Sequence, residues 1–226
     1  RIAAKDTGDT VLVVGAGPAG LEAARALGQR GYDVTLAEAG PTLGGRVRRE
    51  AALPGLSAWG RVRDYREYQL AQMGNVKVYR DSRMDADTVL ETGCSLIAVA
   101  TGASWRSDGV GRSNFDPIQG NGQAHVFGPD EIMAGAQLQS PVVVFDDEQV
   151  YMGGVLAELA VRRGLDVTLV TPGAVVSAWT EHTLEQARIQ TQLLELGVGI
   201  MPLHIVSAIG QDEVRAKCVY TGKEQS

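Results

Sequence analysis

Apolar and polar positions along this chain fall into blocks that switch between two periods. Val11 to Val14 is an unbroken apolar run, and Leu21, Ala24, Leu27 and Gly28 then recur at helical spacing. The pattern predicts a strand, a helix over 18–29 stopped by Gly31, and a second strand over Val34–Ala37 that ends at Glu38. A strand–helix–strand unit of this length places its two strands in parallel with the helix across one face. Further on, Arg61–Met73 reads as a polar, charged helix and Val76–Tyr79 as a short strand. Ala86–Glu91 reads as a short helix, and Leu96–Ala100 as a buried strand running into Thr101-Gly102.

Residues 106–125 are rich in Gly, Ser, Asn, Asp and Pro and read as a connection between domains. A second unit follows, with a strand over Val142–Phe145, a helix from about Gly153 to Arg163, then Gly164 and a strand over Val167–Val170. His182–Leu196 predicts another helix, with His182 helping to begin it at Thr183. Val198–Met201, Ile205–Ile209 and Val214–Tyr220 look like a small antiparallel meander. Two such units in series imply an α/β fold of tandem Rossmann-like domains, each three-layered. The expected division is a nucleotide-binding domain over 1–110, incomplete at its C-terminal side, and a similar domain with a degenerate glycine motif over 111–226.

Composition changes this picture little. The chain has 226 residues, 44% hydrophobic and 21% charged, which is ordinary for a globular protein. Its 21 basic and 27 acidic residues leave a net charge of −6, which argues against nucleic acid or an anionic membrane surface as a partner. No apolar run approaches the roughly 20 residues that span a bilayer, and no secretory signal pattern is present. Cys94 and Cys218 lie far apart with no metal-type spacing, so both read as small structural hydrophobes in a reducing, cytoplasmic setting. His125, His182 and His204 are scattered and read as structural or surface residues, as do Trp59, Trp105 and Trp179.

The chemistry concentrates in Gly15-Ala16-Gly17-Pro18-Ala19-Gly20, which follows the first strand and opens the first helix. In that context Gly15 permits a tight turn, Gly17 lets backbone N–H groups approach a pyrophosphate, and Gly20 lets helix and strand pack closely. The helix N-terminus adds unpaired N–H groups and partial positive charge. Glu38, at the end of the second strand, suits the two hydroxyls of an adenosine ribose and repels a 2′-phosphate. A plain glycine turn with a surface glutamate is the alternative. Gly44-Gly45-Arg46 follows, where Arg46 either neutralises pyrophosphate or is simply solvated.

The second unit lacks these features. Counting back from Gly164 puts the third motif glycine at Gly153 and the first two positions at Glu148 and Val150. The strand exits into Asp146-Asp147-Glu148, three carboxylates where a pyrophosphate would need to sit, and Val170-Thr171-Pro172 carries neither an acid nor an arginine. This half therefore reads as a retained fold that has lost nicotinamide binding, the alternative being a nucleotide held in an unusual way.

Several segments together resemble the family of trimethylamine, dimethylamine and histamine dehydrogenases and related N-demethylating flavoenzymes. They are VLVVGAGPAG with EAAR, LGG, AALPGL, RDYRE, IAVATGASW with SDG, the degenerate MGGVLAELA, and HTLE, spread from Val11 to Glu185. The resemblance implies a tandem pair of glutathione-reductase-type nucleotide domains following an FMN-holding barrel and a 4Fe–4S centre, so that this chain is a C-terminal portion of a longer homo-oligomeric enzyme. It also implies ADP in the first domain, or FAD as in the NADH-dependent cousins of the 2,4-dienoyl-CoA reductase and old yellow enzyme kind. The cofactor-binding set it implies is Gly15, Gly17, Pro18, Ala19, Gly20, Glu38, Ala39, Gly45, Arg46, Met84, Thr101 and Gly102, with no catalytic or metal-binding residue in the chain. An electron-transferring flavoprotein is the implied acceptor, docking near Arg63, Tyr65 and Arg66; an ordinary solvated helix face is the alternative. An NAD(P)H-dependent FAD oxidoreductase and a nucleotide-sensing scaffold remain the other two readings.

Overall fold

The structure, a computed structural model, describes residues 2–226 and divides after Ala103 into two compact units. In the first, strands β1 (Thr10–Val14), β2 (Asp33–Ala37), β3 (Val76–Tyr79) and β4 (Leu96–Val99) form one parallel sheet in the order β3-β2-β1-β4. The register sets Val11 opposite both Val34 and Leu96. Because side chains alternate along a strand, β1 feeds two cores. Val11 and Val13 join Leu21 and Ala24 of helix α1 (Pro18–Arg30), while Leu12 and Val14 meet Ala37, Met84 and Cys94 on the other face. Leu12, Leu21 and Leu36 are fully buried, and removing each from water contributes about 1.5–3 kcal/mol.

Helix α1 ends at Gly31, whose φ of 106° lets its N–H reach back to the carbonyls of Leu27 and Gly28. A short helix α2 (Val47–Glu50) and a 3-10 turn (Ser57–Trp59) lead into α3 (Gly60–Ala71), which buries only Leu70 and is otherwise polar. Helix α4 (Ala86–Glu91) starts at Asp85, whose Oδ1 accepts from the Thr88 N–H at 2.9 Å. The sequence pattern marks β4 as buried, but β4 pairs with β1 alone and forms an edge. Leu96 is 46% exposed and Val99 74%. An apolar run cannot by itself distinguish a central strand from an edge strand.

In the second unit, helix α5 (Pro129–Met133) precedes β5 (Val142–Phe145), α6 (Met152–Arg162) and β6 (Val167–Val170). A 3-10 segment (Ala178–Thr183), α7 (Gln186–Glu195) and β7 (Gly199–Met201) follow, then β8 (His204–Ile209), β9 (Val214–Cys218) and β10 (Glu224–Gln225). Strands β5-β6-β7 form a parallel sheet and β10-β9-β8 an antiparallel one.

Three expectations change here. The strand at 199–201 is the third parallel strand, pairing with β6 rather than starting the meander. The helix expected over 182–196 begins at Gln186, because Leu184 turns left-handed at φ 62° and separates it from the 3-10 segment. His182 lies within that 3-10 segment. Residues 106–125 belong to the second unit instead of linking two domains: Ile118 is buried with Val170 and Val206, and the Gln123 side-chain amide donates to the Ile209 carbonyl at 2.7 Å.

Candidate functional site

The carboxyl end of the first sheet carries the expected glycine loop. Gly15, at φ 97°, donates its N–H to the Ala37 carbonyl at 2.7 Å, which carries the β1–β2 pairing one residue past β1, to the point where the chain turns toward α1. A side chain there would sit 2.5 Å from the Ala100 carbonyl oxygen, and one at Gly20 would overlap the Gly15 carbonyl oxygen. Both glycines are therefore demanded by the chain's own packing. Gly17 differs. A Cβ there would meet nothing within 4 Å, and its extended backbone (φ −68°, ψ −178°) is open to any residue. Neither packing nor torsion asks for glycine at this position, which leaves room for something to approach the backbone closely.

Gly17 caps α1, with Pro18 in the first turn, where its missing N–H costs nothing. Leu21 donates to the Gly17 carbonyl at 2.9 Å, so the N–H groups before it face outward from the helix end. Pro18 and Ala19 are exposed there. The Gly44-Gly45 segment leans over the loop. Gly44 donates to the Ala16 carbonyl at 2.8 Å, and a Cβ at Gly45 would come within 3.1 Å of Gly17 Cα.

Glu38 is half-buried at the end of β2 and anchored through both oxygens. Oε2 accepts from the Ala16 N–H at 2.8 Å and Oε1 from the Gly40 N–H at 2.9 Å. Each oxygen retains a lone pair for a further donor. Ala39 beside it is exposed. Arg46 is held toward the start of α2 by an ion pair with the buried Glu50, Nε to Oε1 at 3.3 Å. Thr101 and Gly102 lie exposed just beyond β4, whose following residue Ala100 donates to the Val14 carbonyl. Met84 is half-buried, packed against the Leu12, Val14 and Ala37 cluster.

The corresponding loop of the second unit is filled by its own acids. Asp146 is 2% exposed, and its Oδ1 accepts from the Gln149 N–H at 3.0 Å. Its carboxyl lies against Gly153, where a Cβ would be 2.5 Å from Cγ. Asp147 accepts from the backbone N–H groups of Arg112 and Ser113, and Glu148 from that of Met152 at the start of α6. The donors that would greet a phosphate are thus partly engaged by carboxylates of the same chain. Burial pushes the Asp146 carboxyl up to about 6, helped by the neighbouring Glu148 and Asp147.

Outside these loops, Arg63 pairs with Asp64 and Glu67, Arg66 pairs with Glu22, and Tyr65 is 53% exposed on α3. Cys218 is only half-buried, contrary to the expectation of a small buried hydrophobe. The Thr221 hydroxyl and the backbone N–H groups of Thr221 and Tyr220 lower its thiol to about 7. The sequence signal for this was the short Cys-Val-Tyr-Thr-Gly turn, which composition alone does not flag. Among the described residues no cluster of His, Cys, Asp and Glu fits a metal ion, and no helix is long and apolar enough to cross a membrane.

Fold and loop together define a Rossmann-like nucleotide-binding unit of the flavoprotein kind, joined in sequence to a second unit of related topology. A family model described as an NAD(P)-binding Rossmann-like domain matches residues 13–71. Dimethylamine dehydrogenase from Hyphomicrobium sp. (strain x) is 37% identical over 205 residues, covering 87% of this chain and 28% of that protein. The structure of histamine dehydrogenase from Rhizobium sp. 4-9 superposes with a TM-score of 0.95 at 55% identity, over 100% of this chain and 35% of that one. The 6-hydroxypseudooxynicotine amine oxidase of Pseudomonas geniculata N1 gives 0.94 and 41%, over 100% of this chain and 34% of that one. The chain belongs to the trimethylamine, dimethylamine and histamine dehydrogenase family, and it spans about a third of the length of these relatives.

Proposed function

We propose that the first unit holds the ADP moiety of a cofactor, ADP itself or FAD, within a longer amine-oxidising flavoenzyme. The pyrophosphate lies over Gly17 and the N-terminus of α1, Glu38 takes the ribose hydroxyls, and Arg46 adds positive charge beside Gly45. One observation carries this reading: of the three motif glycines, Gly17 alone has open space where a side chain would go, beside outward-facing N–H groups. The pre-anchored Glu38 supports the adenosine assignment.

In the parent enzyme, an FMN held by other residues would supply the oxidation of an amine C–N bond, and a 4Fe–4S centre would relay its electrons toward an electron-transferring flavoprotein. Here the bound ADP moiety has a structural role. The exposed Tyr65 on α3, flanked by Arg63 and Arg66, is the surface proposed for docking. The acid-filled loop of the second unit speaks against the rival reading, an oxidoreductase that takes NAD(P)H there.

Acid release of the bound nucleotide, identified by mass, tests the assignment, together with an NADH oxidation assay. The expected result is ADP or FAD at one per chain with no NADH oxidation. Rapid NADH oxidation with a bound flavin would overturn it.

A further inference from the structure

Soft donor atoms gather where the parallel sheet of the second unit gives way to the antiparallel one. Met201 ends β7, His204 opens β8 after a two-residue turn, and Cys218 ends β9. The register sets His204 directly opposite Cys218. The His204 N–H turns away to the Thr171 carbonyl and the Cys218 N–H to the Lys223 carbonyl, so the two face each other without exchanging backbone hydrogen bonds. Side chains come closest in such a pair, whose Cα atoms are about 4.5 Å apart. Alternation along the strands puts both on the same face as the buried Val206 and Ala216, and as Gln225 of β10, which pairs with Ala216. Met201, His204 and Cys218 are each half-buried.

The His204 ring is set for coordination. Its Nδ1 lies 2.7 Å from the Pro202 carbonyl oxygen, which can only accept. Nδ1 therefore carries the proton, and Nε2 of the neutral ring keeps its lone pair. Metal-binding histidines are commonly fixed in this way, by a carbonyl on the nitrogen that does not bind. The Gln225 amide stands beside the free nitrogen. Its Nε2 is 3.1 Å from His204 Nε2 and donates to Met201 Sδ at 3.7 Å. One donor group thus serves an imidazole nitrogen and a thioether sulfur, two acceptors that converge on the same point. Cys218 brings a thiol across the pair, held toward its thiolate by the Thr221 hydroxyl and N–H and by His204.

The donor types decide which ion fits. Among the described residues no further His, Cys, Asp or Glu completes a conventional cluster. Calcium and magnesium call for oxygen ligands, which this set lacks. Structural zinc takes four ligands from Cys, His, Asp and Glu, and a thioether is not one of them. Thiolate and thioether sulfur instead select soft Cu(I).

We propose that Met201 Sδ, His204 Nε2 and Cys218 Sγ form a three-donor site for a soft monovalent cation, Cu(I) in particular. The Gln225 amide gives up its two acceptors to the ion. A metal–sulfur bond forms at Cys218 as the thiol proton leaves to solvent, so thiolate and cation neutralise each other and no electron is transferred. The site uses none of the residues assigned to the nucleotide.

Titration of the full chain with Cu(I), kept reduced by ascorbate without oxygen and supplied as its ferrozine complex, reads affinity from the loss of chelate colour. One Cu(I) per chain should pass to the wild-type protein. Met201→Leu and His204→Gln should each weaken binding about tenfold or more and Cys218→Ser further still, while Cys94→Ser leaves it unchanged. Where a variant does not fold, NMR of the wild type decides. One equivalent of Cu(I) should shift the Met201 methyl and His204 ring signals and leave those of His125 and His182 in place. The proposal would be overturned by failure to draw Cu(I) from ferrozine or by unshifted Met201 and His204 signals. Affinities of folded Met201→Leu and His204→Gln within about twofold of the wild type would also overturn it, leaving a simple thiol adduct at Cys218.

Discussion

At Gly20 a methyl group would run into the carbonyl oxygen of Gly15, while at Gly17 it would enter open space. The same motif thus contains residues that serve the fold and one that the fold does not require to be glycine, the one we propose serves a ligand. The motif's spacing was legible in the sequence, but this division of labour depends on where Ala100 and Gly15 carry their oxygens. Cys218 shows the opposite case, since nothing in its spacing from Cys94 pointed to a thiol with donors around it. At pH 7 about half of a thiol with its pKa near 7 is thiolate. Iodoacetamide should therefore alkylate Cys218 readily at pH 7, at a rate that falls as pH is lowered through about 7. Peptide mass spectrometry after timed quenching checks this, and Thr221→Val should slow the Cys218 reaction at pH 7.

Among elements, the strands and helices with strong periodicity appeared where the pattern placed them: β1, α1 and β2 are offset by a residue or so from the expected bounds. The failures came from context that a local pattern does not contain. β7 looked like a meander strand because its partner, β6, lies about 30 residues earlier in the chain. The apolar β4 looked buried because periodicity cannot report the number of neighbouring strands. Helix α7 looked longer because Thr183 and Leu184 fit a helical run, yet Leu184 adopts φ 62° at 91% exposure. A left-handed leucine in solvent gains little packing to offset its backbone cost. Replacing it by asparagine, which tolerates that conformation, should stabilise the protein by about 0.5–1 kcal/mol in urea unfolding.

At the scale of the molecule, two units of related topology have opposite loops at corresponding places. In the first, the β1–α1 turn leaves N–H groups outward beside an empty Gly17 position, and the acid sits one strand away at Glu38. In the second, the acids stand in the turn itself and take up donors of Gln149 and Met152. The loss of the second glycine motif was legible in Asp146-Asp147-Glu148. That Asp146 is buried with an unpaired oxygen was not, because burial there depends on Ser177 and Gly153 closing over it.

The central claim is that Gly17 is kept for a nucleotide and Gly20 for the fold. Calorimetric titration with ADP, on protein stripped of any carried-over nucleotide, tests it by comparing the wild type with Gly17→Ala. The account predicts one ADP site per chain, weakened at least tenfold by Gly17→Ala while unfolding stability stays within about 1 kcal/mol of the wild type. Gly20→Ala, in contrast, should destabilise the first unit. Unchanged ADP affinity in a folded Gly17→Ala protein would contradict the account.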